Sequence, residues 1–592
     1  MIDDDVLGKA YDSRLMRRLL TYLRPYRGQV TLAVVAIIGH SALDLAPPYL
    51  TKIVIDRYIP IGDLRGLGTL AALYLVALIA SFVLEYLQTW TMQLIGQRIM
   101  FDLRMELVTH LHRLDLRFYD RNPVGRLMTR LTTDVDVLNE LFTSGVVSVF
   151  GDVFTLIGIM GVLIWMDWRL AIAAFSVLPL IAAITHWFRV NARESYRTVR
   201  TWIARINAYL QERITGMATV QLYRREARDF ETFDEIDRRH RDANVQSIFY
   251  YAVFYPAVEL VGALAASLIL WVGGARIIAN GDDMLTLGSL VAFLQYSQRF
   301  FRPISDLSEK FNILQGAMAS SERIFGLLDT PLEITSKSPE KRTTWNGPGV
   351  IRLENVSFAY VEGEPVLKNV SFEVRPGERI GIVGATGSGK TTIVSLLLRF
   401  YDVQSGRITV DGVDIREMDL SDLRSLFGLV LQDVQLFAGT IGGNVRLGNQ
   451  SISDEDVRDA LEAVHASSFV DRLPNGLDSV VAERGSTLSV GQKQLLSFAR
   501  ALAFNPRVLV LDEATSSVDT DTELLIRDAL KAVMRGRTTI AIAHRLSTIQ
   551  DMDRILVMHR GELRESGTHQ ELLALRGIYH RLYELQFEST TA

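Results

Sequence analysis

The sequence predicts two joined folds, an α-helical membrane half followed by an α/β soluble half. Three observations carry that expectation. At 592 residues the chain exceeds the usual size of one domain. A hydrophobic share of 48% stands beside 22% charged residues, a mixture that a membrane segment joined to a soluble segment supplies. Apolar runs of membrane length fill the first part of the chain, and short β-type runs alternating with helical ones fill the rest. A formal net charge of −5 gives no reason to expect a nucleic-acid partner. The absence of cysteine excludes disulfides, thiol chemistry and a Cys-based zinc site.

Taken in order, Met1 to Ala10 carries Asp3, Asp4 and Asp5 where a secretory signal needs positive charge and an apolar core, so no cleaved signal is expected. Arg14, Arg17, Arg18, Arg24 and Arg27 alternate with Leu15, Leu19, Leu20 and Leu23 at helical spacing. Such an amphipathic elbow helix lies on a membrane surface; an ordinary solvated helix is the alternative. Residues 1–28 form this first region.

Six apolar segments follow, near 29–50, 67–95, 143–166, 169–188, 248–279 and 286–304, and most supply the ~20 residues needed to cross a bilayer. Pro47-Pro48 predicts a bend in the first, and Met166-Asp167-Trp168 a tight hairpin between the third and fourth. The stretches between the second and third spans, and between the fourth and fifth, are long, polar and Arg-rich. Each predicts a helix going out and another coming back, reversing near Asn122-Pro123-Val124-Gly125 and near Thr215-Gly216. Arms of about 24 to 30 residues would project on the order of 35 to 45 Å. Their arginines, set against short loops on the other side, place both rods and both termini in the cytoplasm. Asp44, Glu85, Asp152 and Glu259 fall at or near membrane depth, with His40 one turn from Asp44. They belong either to a transport pathway or to polar packing between helices. The aromatics of the last two spans either line a cavity or face lipid. The membrane domain covers 29–328, a Pro-, Ser- and Gly-containing linker covers 329–349, and the soluble domain covers 350–592.

Within the soluble domain, Gly384-Ala385-Thr386-Gly387-Ser388-Gly389-Lys390-Thr391 has the spacing of a phosphate-binding loop between an apolar strand and a Leu-rich helix. Its glycines let backbone N–H groups turn toward phosphates, Lys390 adds a point charge, and Thr391 is left to hold Mg²⁺. A glycine-rich turn that binds nothing is the alternative, and four companions argue against it. Val508 to Leu511 leads into Asp512, placed for Mg²⁺, and Glu513, placed to orient and polarise water. His544 ends another strand and can donate to a γ-phosphate. Gln432 can reach metal and water, and Tyr360 offers a ring for adenine.

Tyr360, Gly384 to Thr391, Gln432, Leu488-Ser489-Val490-Gly491-Gln492, Asp512-Glu513, Ser516-Ser517-Val518-Asp519 and His544 resemble, in order and spacing, the A-loop, Walker A, Q-loop, signature, Walker B, D-loop and H-loop of ATP-binding-cassette proteins. With the six spans before them, the chain resembles a half-transporter of the exporter type, the type I exporter or type IV fold. The resemblance implies an ATP hydrolase coupled to transport, with Glu513 and His544 catalytic. It implies ATP held by Tyr360, the loop through Thr392, and Gln432, with Mg²⁺ on Thr391, Gln432 and Asp512. It implies a second half-transporter whose ATP meets Ser489, Val490, Gly491 and Gln492, with Asp519 in the D-loop between them. Segments around Phe118 to Val124 and Ile214 to Val220 resemble coupling helices. The implied substrate is a hydrophobic small molecule, a lipid or a peptide leaving the cytoplasm or inner leaflet; a dedicated flippase, a peptide exporter or an ATP-gated channel are the alternatives. The implied location is the cytoplasmic membrane. Val490 stands where the family carries glycine, which adds a branched side chain where backbone meets phosphate and disfavours positive φ. With Glu513 and His544 intact, this pattern favours a heterodimer over a homodimer.

Overall fold

The computed structural model describes residues 12–280, 285–336, 347–513, 520–543 and 549–591. They form two compact units, one within Met1–His112 and Val124–Thr330, the other within Arg113–Pro123 and Pro331–Ala592. The first ten residues, on which the reading of the signal rests, lie outside the described residues.

The first unit is helical throughout. Ser13–Thr21 is capped by the Asp12 carboxylate, which accepts from the Arg14 amide at 2.7 Å. Arg18 on this helix forms a bidentate pair with Asp329 at 2.8 and 2.7 Å and lies 4.2 Å from the Phe325 ring centroid. Tyr22 and Tyr26 donate to Glu106 and Asp102 at 2.6 and 2.7 Å. Part of its polar face is therefore held by neighbouring helices.

The first span divides at Leu45 into Arg27–Asp44 and Ala46–Ile53. Pro47 and Pro48 occupy the first turn of the second piece, where a missing N–H costs no intrahelical bond. Leu64–Leu111 is one unbroken helix of 48 residues. Helical pieces from Val124 to Met166 make the returning rod and the third span, interrupted by π-type turns at Arg130–Asp134 and Leu141–Gly145. Asp167 closes the hairpin by capping Trp168–Phe175 and by pairing with Arg276 at 2.9 Å. Leu178–Thr215 runs out to Gly216, and Glu226–Asn280 returns over 55 residues. Both reversals fall where the turn residues place them.

Five helical stretches among the described residues are long and apolar enough to span a membrane on length and composition alone. Leu287–Leu328 is not among them, its polar residues including Gln295, Gln298 and Arg299. Packing explains this: Ala292, Phe293 and Tyr296 are fully buried in a cluster with Ile159, Leu163, Leu170, Val261 and Ile269. A helix that spends one face inside a bundle need not be apolar all round.

His40, Asp44 and Asp152 are engaged between helices. Arg299 donates to Asp44 Oδ1 at 2.9 Å and to its carbonyl at 2.6 Å, and Lys310 meets Asp152 at 2.7 Å. His40 meets Ser81 at 3.0 Å. Glu85 and Glu259 are exposed on the single chain. Phe254 stacks on Phe188 with centroids 4.1 Å apart, and Tyr251 meets Tyr196 at 2.7 Å, so aromatics of the fifth span pack against the fourth.

In the second unit the strands are β1 (Ile351–Phe358), β2 (Leu367–Val374), β3 (Arg379–Val383), β4 (Ser405–Val410), β5 (Val413–Asp414), β6 (Phe427–Val430), β7 (Gly439–Thr440), β8 (Val480–Val481), β9 (Val508–Glu513), β10 (Thr538–Ala543), β11 (Arg554–His559) and β12 (Glu562–Gly567). One sheet has the order β2-β1-β4-β5 and is antiparallel. The larger has the order β12-β11-β3-β10-β9-β6, parallel except at the β12 edge. Successive residues of β9 enter different cores, Val508 and Val510 one, Leu509 and Leu511 the other. Both faces are covered, which is why the strand is an unbroken apolar run.

Candidate nucleotide-binding site

Parallel register gathers the predicted site residues at one edge. Ile382 of β3 pairs with Ile542 of β10, which pairs with Asp512 of β9; Leu511 pairs with Val430 of β6. The loop after Val383, the Asp512-Glu513 pair, Gln432 two residues past β6, and the segment after Ala543 therefore all leave the carboxyl ends of adjacent strands. This edge is where open α/β sheets bind ligands. The backbone of Glu513 closes β9; its side chain, together with all of Asp519 and His544, lies outside the described residues.

The loop after β3 has the backbone that phosphate binding requires. Gly387 and Gly389 have φ of 79° and 98°, in the left-handed region that favours glycine. A Cβ at Gly384 would run into the Met558 carbonyl oxygen, and one at Gly389 would lie 2.5 Å from a Leu367 methyl. Lys390 opens the helix Lys390–Leu397 and is 6% exposed. Its Nζ donates to the carbonyls of Gly384 at 2.8 Å and Ala385 at 3.1 Å. Burial pushes the ammonium pKa down, and the charge of Asp512 partly restores it. Ser388 Oγ is buried without a hydrogen-bond partner among the described residues. An ammonium held by two carbonyls, a hydroxyl unsatisfied among the described residues and a helix N-terminus together fit an incoming phosphate.

Thr391 and Gln432 are exposed and Asp512 is half-buried. Tyr360 donates to Thr392 Oγ1 at 3.2 Å and stands edge-on to Phe358 and Tyr401, with centroids at 4.9 and 5.2 Å. Three contacts thus fix its ring.

The signature segment caps its own helix. Ser489 Oγ accepts from the Gln492 amide at 3.2 Å, and Gln492 Oε1 accepts from the Ser489 amide at 3.0 Å. Val490 is the first residue of Val490–Ala503, has no positive φ, and is 53% exposed. The expectation of backbone strain at this valine is corrected: the position is ordinary helix, and only the bulk of the side chain distinguishes it from glycine.

Two known families match parts of the chain. Residues 30–304 match the ABC transporter transmembrane region, and residues 367–516 match the ABC transporter family. A lipid A-core flippase of Desulfotalea psychrophila is 35% identical over 97% of this chain and 100% of its own length. The chain belongs to the ABC transporter family. The transporter is also 38% identical to the probable multidrug resistance ABC transporter ATP-binding/permease protein YheH of Bacillus subtilis, over 88% of this chain and 77% of that one. A solved bacterial Atm1-family ABC exporter with ATP bound matches with a TM-score of 0.77 and 30% identity, covering 95% of this chain and 98% of that one. The transporter is accordingly a multi-pass membrane protein with the exporter fold and an ABC-type ATP-binding domain.

Two residues that hold the segment after Gln432, Asn444 and Arg500, have no signal in the sequence. Asn444 laces the segment after Gln432 by bonding Phe437 N and O, both at 2.8 Å, and Thr440 O at 3.1 Å. Arg500 donates to the carbonyls of Asn444 and Gln435 at 2.9 and 3.1 Å, and burial lowers its pKa. The neutral stretch Thr440 to Asn444 is thus held by amide and guanidinium bonds rather than by charges of its own. Such partners lie 56 to 65 residues apart in sequence and share no local motif.

Proposed function

We propose that this transporter half hydrolyses ATP with Mg²⁺ and uses that reaction to export a hydrophobic or amphipathic compound, a lipid among the candidates, from the cytoplasmic side of the cytoplasmic membrane. The observation that carries the reading is the convergence of the phosphate loop, Asp512 and the end of β9 at one sheet edge in a chain that also holds the membrane bundle. Lys390 exchanges its two carbonyl acceptors for phosphate oxygens, which hold an ammonium more strongly. Mg²⁺ at this site would supply positive charge that offsets the charge developing on the phosphate oxygens. Thr391, Asp512 and Gln432 hold the metal, Glu513 orients the attacking water, and His544 donates to the γ-phosphate. Tyr360 supplies the face on which adenine stacks. The flippase and multidrug relatives support the substrate class.

The active unit is a pair of half-transporters. The turn between the fourth and fifth spans exposes Ile214, Leu222 and Tyr223 at 65%, 76% and 70% on the single chain. Apolar residues grouped on an aqueous loop mark a protein contact. We favour a heterodimer, because Val490 places a branched side chain where a partner's phosphate would approach while this chain's own Walker residues are complete. A homodimer is the second reading, supported by the undisturbed capping box at Ser489 and Gln492.

The test is the mass and ATPase rate of this chain purified alone in lipid nanodiscs. A monomer, or a dimer with little turnover, supports the heterodimer; a dimer with brisk turnover supports two equivalent sites. Absence of hydrolysis with every co-expressed half-transporter would overturn the enzymatic reading.

A further inference from the structure

We propose that Tyr401 is a positioning residue that joins the adenine platform at Tyr360 to the helix Leu116–Arg121 through Asp120, so that occupancy by the base, and not by phosphate alone, is reported to that helix. The inference rests on the proposed stacking role of Tyr360 and goes beyond it.

Tyr401 lies just beyond the helix that Lys390 begins. Arg399 takes a left-handed φ of 49° and ends that helix. Its guanidinium pairs with Asp402 at 2.9 Å, pinning the turn from inside. Gln404 donates to the Ala359 carbonyl at 3.0 Å, tying the same turn to the residue before Tyr360. Arg424 donates to the carbonyls of Leu398 and Arg399 at 3.3 and 3.2 Å and lies 5.2 Å from the Phe400 ring centroid. The turn is held by these five contacts, so the Tyr401 ring has little freedom of its own.

That ring has two working ends. Its face and edge meet Tyr360 at 5.2 Å and 88°, and Phe358 at 5.7 Å and 58°. Its hydroxyl donates to the Asp120 carboxylate. Burial and that hydrogen bond both push the phenol pKa up, so Tyr401 remains a donor throughout the physiological range. Asp120 belongs to Leu116–Arg121, whose other end is fastened separately. Asp115 accepts from the amides of Glu333 and Ile334 at 3.0 and 3.1 Å, and Arg117 pairs with Glu333 at 3.0 Å. The helix is thus anchored on the linker at one end and on Tyr401 at the other. A base stacking on Tyr360 presses on the ring that Tyr401 braces, and Asp120 is the next group in that line of contact. Packed side chains joined by a hydrogen bond are the kind of path that carries coupling between sites.

The experiment is hydrogen exchange of residues 113–123 in the full chain in nanodiscs, with Mg-AMP-PNP, with Mg-tripolyphosphate, or with neither. In the wild type, Mg-AMP-PNP is expected to slow exchange there and tripolyphosphate to leave it unchanged. Y401F and D120A are expected to lose most of the AMP-PNP response while AMP-PNP affinity stays within about twofold, because the edge-on ring contact survives in both. The double variant should lose no more than either single one. Y401A, which removes the brace, is expected to weaken AMP-PNP by about two- to tenfold. A full response to tripolyphosphate, or a retained response in Y401F and D120A, would overturn the relay. Y360A separates this from the platform itself: unchanged AMP-PNP affinity in Y360A would sink the stacking role, whereas weakened affinity with an intact response in Y401F would sink only the relay.

Discussion

Lys390 and Glu513 are separated by 123 residues in the chain, yet β3 and β9 flank β10 and bring both to one sheet edge. A carboxylate that orients water is expected to contribute about 10²- to 10⁴-fold. Glu513→Gln should therefore reduce steady-state hydrolysis by that factor while equilibrium ATP binding is preserved; turnover near the wild-type rate would falsify the assignment. Val490 tests a different property. Since its backbone is ordinary helix, Val490→Gly removes bulk without relieving strain. In a heterodimer of the proposed kind the variant should raise vanadate-trapped nucleotide from about one toward two per dimer, and an unchanged stoichiometry would remove the reason to prefer unequal sites. Asp44 and Asp152, which the sequence leaves between pathway and packing, meet Arg299 and Lys310 of the sixth span. Each of these carboxylates joins two helices by an ion pair.

Among the elements, the sixth span depends most on partners from elsewhere. Toward its cytoplasmic end Arg323 binds both oxygens of Asp134, Nε at 2.9 Å to Oδ2, while Ser320 donates to Oδ1 at 2.9 Å. Asp134 is 3% exposed and sits in the π-type turn Arg130–Asp134 of the returning rod that leads into the third span. Arg323 keeps a route to water, which moderates the cost of losing its partner. Asp134→Ala is expected to destabilise the membrane unit by about 1–3 kcal/mol. The readout is the midpoint of thermal unfolding in nanodiscs, and no shift would mean that the network is incidental. The elbow helix shows a related use of charge: a basic face suited to lipid also supplies Arg18 to Asp329.

For the whole molecule, the proposed pairing of half-transporters is tested at the exposed turn between the fourth and fifth spans. Leu222→Ser with Tyr223→Ser removes apolar surface without touching the nucleotide site. The double variant is expected to lower the dimer fraction, by mass photometry in nanodiscs, and to cut hydrolysis in proportion, with nucleotide affinity of each chain retained. Normal dimerisation and turnover would show that this turn faces solvent in the working protein.

Properties with a local period were legible in the sequence. Helical spacing with Pro and Gly punctuation placed the long rods and their reversals near 122–125 and 215–216, and the apolar runs of β3 and β9 announced buried strands. The phosphate loop was legible because glycine at fixed offsets is what its backbone conformation demands. Tertiary structure alone decided which polar groups meet. Asp44 and Arg299 are 255 residues apart, and Tyr401 and Asp120 are 281 apart, so no repeat or spacing relates them. It also decided that the least apolar span can sit in the bundle, and that Val490 lies in unstrained helix. The physical reason is that propensity and periodicity act over a few residues, whereas the pairing of a buried charge or a bracing ring is fixed only when distant elements pack against each other.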